Sequence, residues 1–113
     1  MIVLKNAKKI FPEEIEVLLN NNPLVAESFV YGAERHDGDF EIRAKIVYNK
    51  EAVNLEYGEI SEDKILEIMN EYRKKINKNL PLYKAIRKVF VTDIPLIKTT
   101  SGKIKRAEEK ANN

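Results

Sequence analysis

DFEIRAKIVY, residues 39–48, sets Phe40, Ile42, Ala44, Ile46 and Tyr48 in alternation with Glu41, Arg43, Lys45 and Val47. A period of two with one apolar face marks a half-buried antiparallel strand. Upstream, LVAESFVYG (24–32) reads as its partner, joined through AERHDG (33–38), whose Asp37-Gly38 is hairpin-turn chemistry. Further upstream, FPEEIEVLLNNN (11–22) reads as a helix. Pro12 suits the first helical position, Glu13 and Glu14 suit the positive end of the dipole, and Phe11, Ile15, Leu18 and Leu19 line one face. Before it, Ile2-Val3-Leu4 and Ile10-Phe11 flank the basic run 5–9 and predict a small hairpin. An isolated hairpin is marginal in water, so this one is expected to lean on another surface.

Downstream, residues 49–60 show no period and read as a surface loop. Ser61 is placed as an N-cap, and Ile65, Ile68, Met69, Tyr72 and Ile76 recur at helical spacing up to about Asn79. Leu80-Pro81 ends that helix. AIRKVFVT (85–92) reads as a strand, DIPLIKTTSG (93–102) as a loop and KIKRAEEKA (103–111) as a terminal helix. The expected fold class is α+β: a small, mostly antiparallel sheet of about three strands, packed by helices on one face, with an N-terminal two-stranded hairpin.

A chain of 113 residues predicts one domain, 1–113, with 43% hydrophobic residues in support of a folded core. Twenty Lys and Arg against eighteen Asp and Glu leave a net charge of +2, so no polyanion partner is implied by global charge. The absence of cysteine excludes disulfides, thiolate metal sites and cysteine nucleophiles. No apolar run approaches the roughly 20 residues that span a bilayer, and MIVLKNAKKIF lacks signal-peptide zoning, which gives a cytoplasmic expectation without a transmembrane segment. The chain opens directly on a strand-like run, as a piece cut at a linker would.

The single histidine, His36, falls in the expected turn and reads as a solvated side chain, and the carboxylates fall on helix starts and faces with no metal-ligand spacing. TTSGKIKR (99–106) invites comparison with a phosphate-binding P-loop, but Ile97 and Ile104 stand where that pattern needs Gly and Ser or Thr. Lys84, Arg87, Lys88, Lys98, Lys103, Lys105 and Arg106 form a basic C-terminal cluster. Between 84 and 113 only Phe90 offers a ring for base stacking, so surface decoration is the simpler reading. Lys103 differs: Gly102 and the hydroxyls of Thr99, Thr100 and Ser101 describe a loop able to carry an ammonium to a defined place.

LPLYKAIRKVFVTDIPLIKTTSGKIKR (80–106) resembles the closing segment of adenylate-forming acyl-CoA synthetases, through Leu80, Pro81, Tyr83, Lys84, Lys98, Thr99, Gly102, Lys103, Ile104 and Arg106. IVLKNAKKIFPEEIE (2–16) resembles the family's segment after its interdomain hinge, through Asn6, Lys8, Ile10, Pro12, Glu14, Ile15 and Glu16. Val30, Gly32, Gly38 and Ala44 match a hairpin between them, so the resemblance spans the chain in order. The wording of IFPEEIE and LIKTTSGKIKR is most similar to the long-chain fatty-acid branch.

The resemblance implies a C-terminal lid domain whose partner is the large N-terminal adenylation domain of the same enzyme, which binds ATP, Mg2+ and the fatty acid. Lys103 falls on the family's catalytic lysine, with Thr99, Thr100, Ser101 and Gly102 as loop support. Asn6, Ala7 and Lys8 fall where the family lines its coenzyme A channel, and Ala7 stands where the family usually has Gly. Ile86 and Ile97 stand where many members have Pro, and the hinge is placed before Met1. ATP, Mg2+ and coenzyme A are cofactors expected of the full-length ligase, none bound by this domain alone, which is expected to be inactive by itself. No nucleic acid is expected as partner. The alternatives are a free-standing regulatory or interaction module acting in trans and a basic nucleic-acid-binding α+β domain.

Overall fold

The computed structural model describes residues 1–98, 104–106 and 109. The chain opens with β1 (Ile2–Val3) and β2 (Lys9–Ile10), an antiparallel pair with Ile2 opposite Ile10. Helix α1 (Pro12–Asn20) follows, then β3 (Val25–Glu34) and β4 (Phe40–Tyr48), α2 (Lys50–Tyr57), α3 (Glu62–Asn77), a 3-10 turn at Leu82–Lys84 and β5 (Ile86–Thr92). Strands β3, β4 and β5 form a three-stranded sheet in that order. This is the α+β architecture expected from the sequence.

The β3–β4 pair is antiparallel, with Val30 opposite Ala44. Its turn is closed by Arg35 N–H to Asp39 O at 2.7 Å and Gly38 N–H to Arg35 O at 3.0 Å, with Gly38 at φ 83°. The β4–β5 pair is parallel, with Ala44 opposite Val89. Parallel neighbours need a long crossover, and α2 with α3 provides it. Asn77, at the end of α3, then docks the start of β5: its Nδ2 donates to Ile86 O at 2.9 Å and its Oδ1 accepts from Ile86 N–H at 2.8 Å.

The expectation of a surface loop over 49–60 is corrected by α2. The Asn49 side chain caps it by accepting from Ala52 N–H at 3.1 Å, and Gly58 ends it at φ 77°. Helical periodicity was hidden because Val53 is its one buried residue while Leu55 faces solvent. In α1 the buried face is Pro12, Ile15, Glu16 and Leu19, with Phe11 exposed, so a carboxylate occupies a place the apolar pattern did not assign to one. Helix α3 follows expectation: Ser61 Oγ accepts from Lys64 N–H at 3.2 Å, and Ile65, Met69 and Ile76 are buried.

Both faces of the sheet are covered. On one, Val30, Ile42, Ala44, Ile46, Ile86 and Val89 pack with α1, α3 and the hairpin. On the other, Phe29, Tyr31 and Val47 pack with Leu96 and Ile104. This double cover explains the continuous buried run Ser28–Gly32 in β3. The hairpin leans on β3 and on the β3–β4 turn. A Cβ at Gly32 would sit 3.0 Å from Ile2 Cγ2, so glycine is what admits Ile2 there. Lys5 seals the contact, its N–H donating to Asp39 Oδ1 at 3.1 Å and its Nζ to Asp37 O at 2.6 Å.

Candidate functional site

Two surfaces carry the residues singled out from the sequence. The first is the hairpin tip. Ala7 N–H donates to Leu4 O at 2.9 Å, Leu4 N–H to Lys8 O at 3.0 Å, and the Asn6 side chain accepts from Lys8 N–H at 3.1 Å. This tight reversal holds Ala7 at φ 65°, a left-handed conformation that suits glycine better than alanine. Lys8 Nζ lies 5.3 Å from the centre of the Tyr83 ring, and Lys84 Nζ lies 5.8 Å from it on a neighbouring approach. Asn6, Arg35, Asp39, Glu41, Tyr83 and Arg87 line an open groove of about 380 Å³ beside the tip. Two guanidinium groups therefore share it with two carboxylates, and Arg35 is already paired with Asp37, so the groove is of mixed charge with one aromatic wall.

The second surface surrounds segment 99–103. Thr99, Thr100, Ser101, Gly102 and Lys103 lie outside the described residues, but their flanks do not. Lys98 and Ile104 pair as an antiparallel bridge, and Lys105 N–H donates to Ile97 O at 2.8 Å. Three ion pairs then tie the flanks to the fold. Glu27 on β3 pairs with Lys98 and accepts from Leu96 N–H at 3.2 Å. Glu109 accepts from Ile97 N–H at 3.0 Å and from Lys45 Nζ at 3.1 Å. Arg106 makes a two-pronged contact with Glu16 on α1, Nη1 to Oε2 at 2.8 Å and Nη2 to Oε1 at 2.6 Å.

The Arg106–Glu16 pair is the most closely built of these. Glu16 Oε2 also accepts from Val30 N–H at 2.8 Å, and the guanidinium carbon sits 5.6 Å from the centre of the Phe29 ring. Glu13 Oε1 adds a second carboxylate at 3.6 Å from Nη2. Hydrogen bonding to Glu16 first, then the charges of Glu16 and Glu13, outweighs burial and pushes Arg106 above its ordinary value.

Glu16 falls within the resemblance over residues 2–16, whereas nothing in the sequence singled out Glu27, Lys45 or Glu109. Glu16 also had a local signal: it lies four residues after Pro12 and three before Leu19, on the buried stripe of α1. The basic cluster proves to be partly neutralised, since Lys84, Lys98 and Arg106 face Glu14, Glu27 and Glu16. His36 stays exposed in the β3–β4 turn. Among the described residues no group of three or more His, Asp or Glu side chains could hold a metal ion. No helix of the described residues is long and apolar enough to cross a membrane.

The small α+β domain thus presents a hairpin tip with its groove on one surface and the tied flanks of segment 99–103 on another. The chain belongs to the AMP-binding enzyme C-terminal domain family, whose model matches residues 1–112. It is 33% identical over 108 residues to human mitochondrial acyl-coenzyme A synthetase ACSM3, covering 95% of this chain and 17% of that protein. It is 30% identical over 105 residues to the probable CoA ligase CCL9 of Humulus lupulus, covering 93% and 17%. The chain thus spans about a sixth of the curated relatives it matches. Among solved structures, the Brucella canis acyl-CoA synthetase superposes with a TM-score of 0.72 at 23% identity, covering 98% of this chain and 19% of that one. The Bacillus subtilis o-succinylbenzoate coenzyme A synthetase, in complex with ATP and magnesium ion, superposes at 0.64 with 28% identity, covering 96% and 19%.

Proposed function

We propose that this chain is the lid domain of an AMP-forming acyl-CoA ligase, that it delivers Lys103 to the adenylation step, and that its hairpin tip serves the thioester-forming step. The observation that carries the reading is coverage: a family match over 1–112 with about 17% of each ligase relative leaves the larger part of such an enzyme as the partner domain. That domain would hold ATP, Mg2+ and the acid, and this chain alone would be inactive.

As a carboxylate attacks the α-phosphorus of ATP and pyrophosphate leaves, negative charge builds on the phosphoryl oxygens. The Lys103 ammonium, brought in by domain closure, stabilises that charge. A second closed arrangement turns the hairpin to the same centre, where Asn6, Ala7 and Lys8 border the path of coenzyme A. Tyr83 beside them gives that path an aromatic wall, with Lys8 and Lys84 over its ring. Alternation between two closed states is gating, each state completing a different site. The acid is assigned to the long-chain fatty class on the wording of residues 10–16 and 96–106.

The test joins these residues to the large domain and changes Lys103 to Ala. Carboxylate-dependent ATP–pyrophosphate exchange should fall by about 10²–10³-fold, the scale for removing one electrostatic stabiliser. Exchange at the full rate would overturn the lysine assignment. Exchange measured across acids of increasing length tests the long-chain assignment, which fails if short acids are preferred.

A further inference from the structure

We propose that Arg106 and Glu16 are positioning residues for Lys103, with Glu27 as the corresponding anchor on the other flank; the inference rests on the adenylation reading above. Two residues, Ile104 and Lys105, separate Lys103 from Arg106, so an error at Arg106 passes along a very short length of chain. Arg106 is fixed in orientation as well as place. Both guanidinium prongs meet one carboxylate, which also accepts Val30 N–H, and the guanidinium carbon sits 5.6 Å from the centre of the Phe29 ring. The frame is therefore α1 and β3 together. On the other flank, Glu27 of the same strand holds Lys98 and Leu96 N–H. The Lys98–Ile104 bridge joins the two flanks.

An ion pair is a poor choice for stability alone. Well-packed apolar groups of similar volume often do as well in a buried place, because two charges need not be stripped of water. What a two-pronged pair adds is direction: the guanidinium fork has one good approach to a carboxylate, whereas apolar contact tolerates sliding. Direction matters for a lysine that must place its ammonium on oxygens carrying transition-state charge, where a displacement of about 1 Å costs about a hundredfold in rate.

The experiment uses the ligase with both domains joined and measures the half-reactions separately: ATP–pyrophosphate exchange for adenylation, and thioester formation from added acyl-adenylate and coenzyme A. Arg106→Gln should lower the exchange rate constant by about 10–100-fold. KM for ATP should change little, and thioester formation should stay within about twofold, a window set by the short reach of the displacement. Arg106→Lys keeps the charge and loses the fork, so it should recover part of the loss. Glu27→Gln should show the same selective pattern more weakly, and it decides the matter if Arg106→Gln fails to fold. Equal loss in both half-reactions for the folded variants, or no loss in exchange, overturns the proposal. Lys103→Ala in the same assay separates the two levels: full exchange in that variant overturns the adenylation reading itself, whereas strong loss there beside unselective Arg106→Gln and Glu27→Gln overturns the positioning role alone.

Discussion

The hairpin tip and the flanks of segment 99–103 are held by different physics, although the proposed function gives each one half of a reaction. The tip is made by neighbours in sequence: three hydrogen bonds among residues 4–8 and a left-handed Ala7 define it. The flanks are made by partners far away in the chain, Glu16 with Arg106, Lys45 with Glu109 and Glu27 with Lys98. A locally built tip keeps its shape wherever the domain turns. Flanks built from long-range pairs keep their shape only while the whole domain stays folded, which would tie the proposed delivery of the lysine to the integrity of the sheet.

The sharpest way to break this contrast is at Arg106. Arg106→Ala leaves the Glu16 carboxylate largely buried, with Val30 N–H as its remaining hydrogen-bond donor among the described residues. The expected loss is about 2–3 kcal/mol, below the roughly 3–5 kcal/mol of a fully buried pair because the arginine side chain keeps 34% exposure. A urea midpoint unchanged from the parent chain would show that the flank contributes nothing to the fold and that the contrast is false.

That contrast also explains what was legible from residues alone. DFEIRAKIVY announced β4 because its burial alternates, and Ser61 announced α3 because a cap is a local device. Helix α2 escaped because an eight-residue helix with one buried side chain leaves no stripe to read. The parallel pairing of β5 escaped because a strand pattern does not record the direction of its neighbour. At the candidate site, Asn6 to Lys8, Glu16, Lys103 and Arg106 were legible through motif resemblance, whereas Glu27, Lys45, Glu109 and the pairing of Glu16 with Arg106 were not. Glu27, Lys45 and Glu109 look like ordinary surface charges until the C-terminal segment is laid over Phe29, Tyr31 and Val47.

Ala7 offers a smaller and opposite test. An alanine at φ 65° bears about 1 kcal/mol of left-handed strain, and glycine would relieve it while adding freedom to the unfolded chain. Ala7→Gly should therefore stabilise by about 0.5 kcal/mol, with the tip geometry unchanged. A destabilised variant would mean that the alanine methyl is held by packing, and the tip would no longer count as locally determined.

The smallest expected effect lies in the turn that buttresses the hairpin. Asp37 is held down from 3.8 to about 2, first by the Arg35 side chain and then by the Asp39 N–H. Asp39 is lowered in the same direction by the N–H groups of Phe40 and Lys5. Both folded values lie below the unfolded ones, so each contribution is fully present above the ordinary carboxylate range and is lost as pH falls through the folded value. Both groups are solvent-facing and screened, so the change should be local: in an acid titration the amides of residues 37–40 and Lys5 should shift together, with the Asp37 midpoint near about 2. Arg35→Asn should move that midpoint back towards 3.8, since it removes the guanidinium whose hydrogen bonds most favour the charged carboxylate. A parent midpoint already at 3.8 would mean that the Arg35 contact does not hold in water. The hairpin would then rest on Gly32 and the Lys5 contacts alone, a looser support than the ion-paired flanks have.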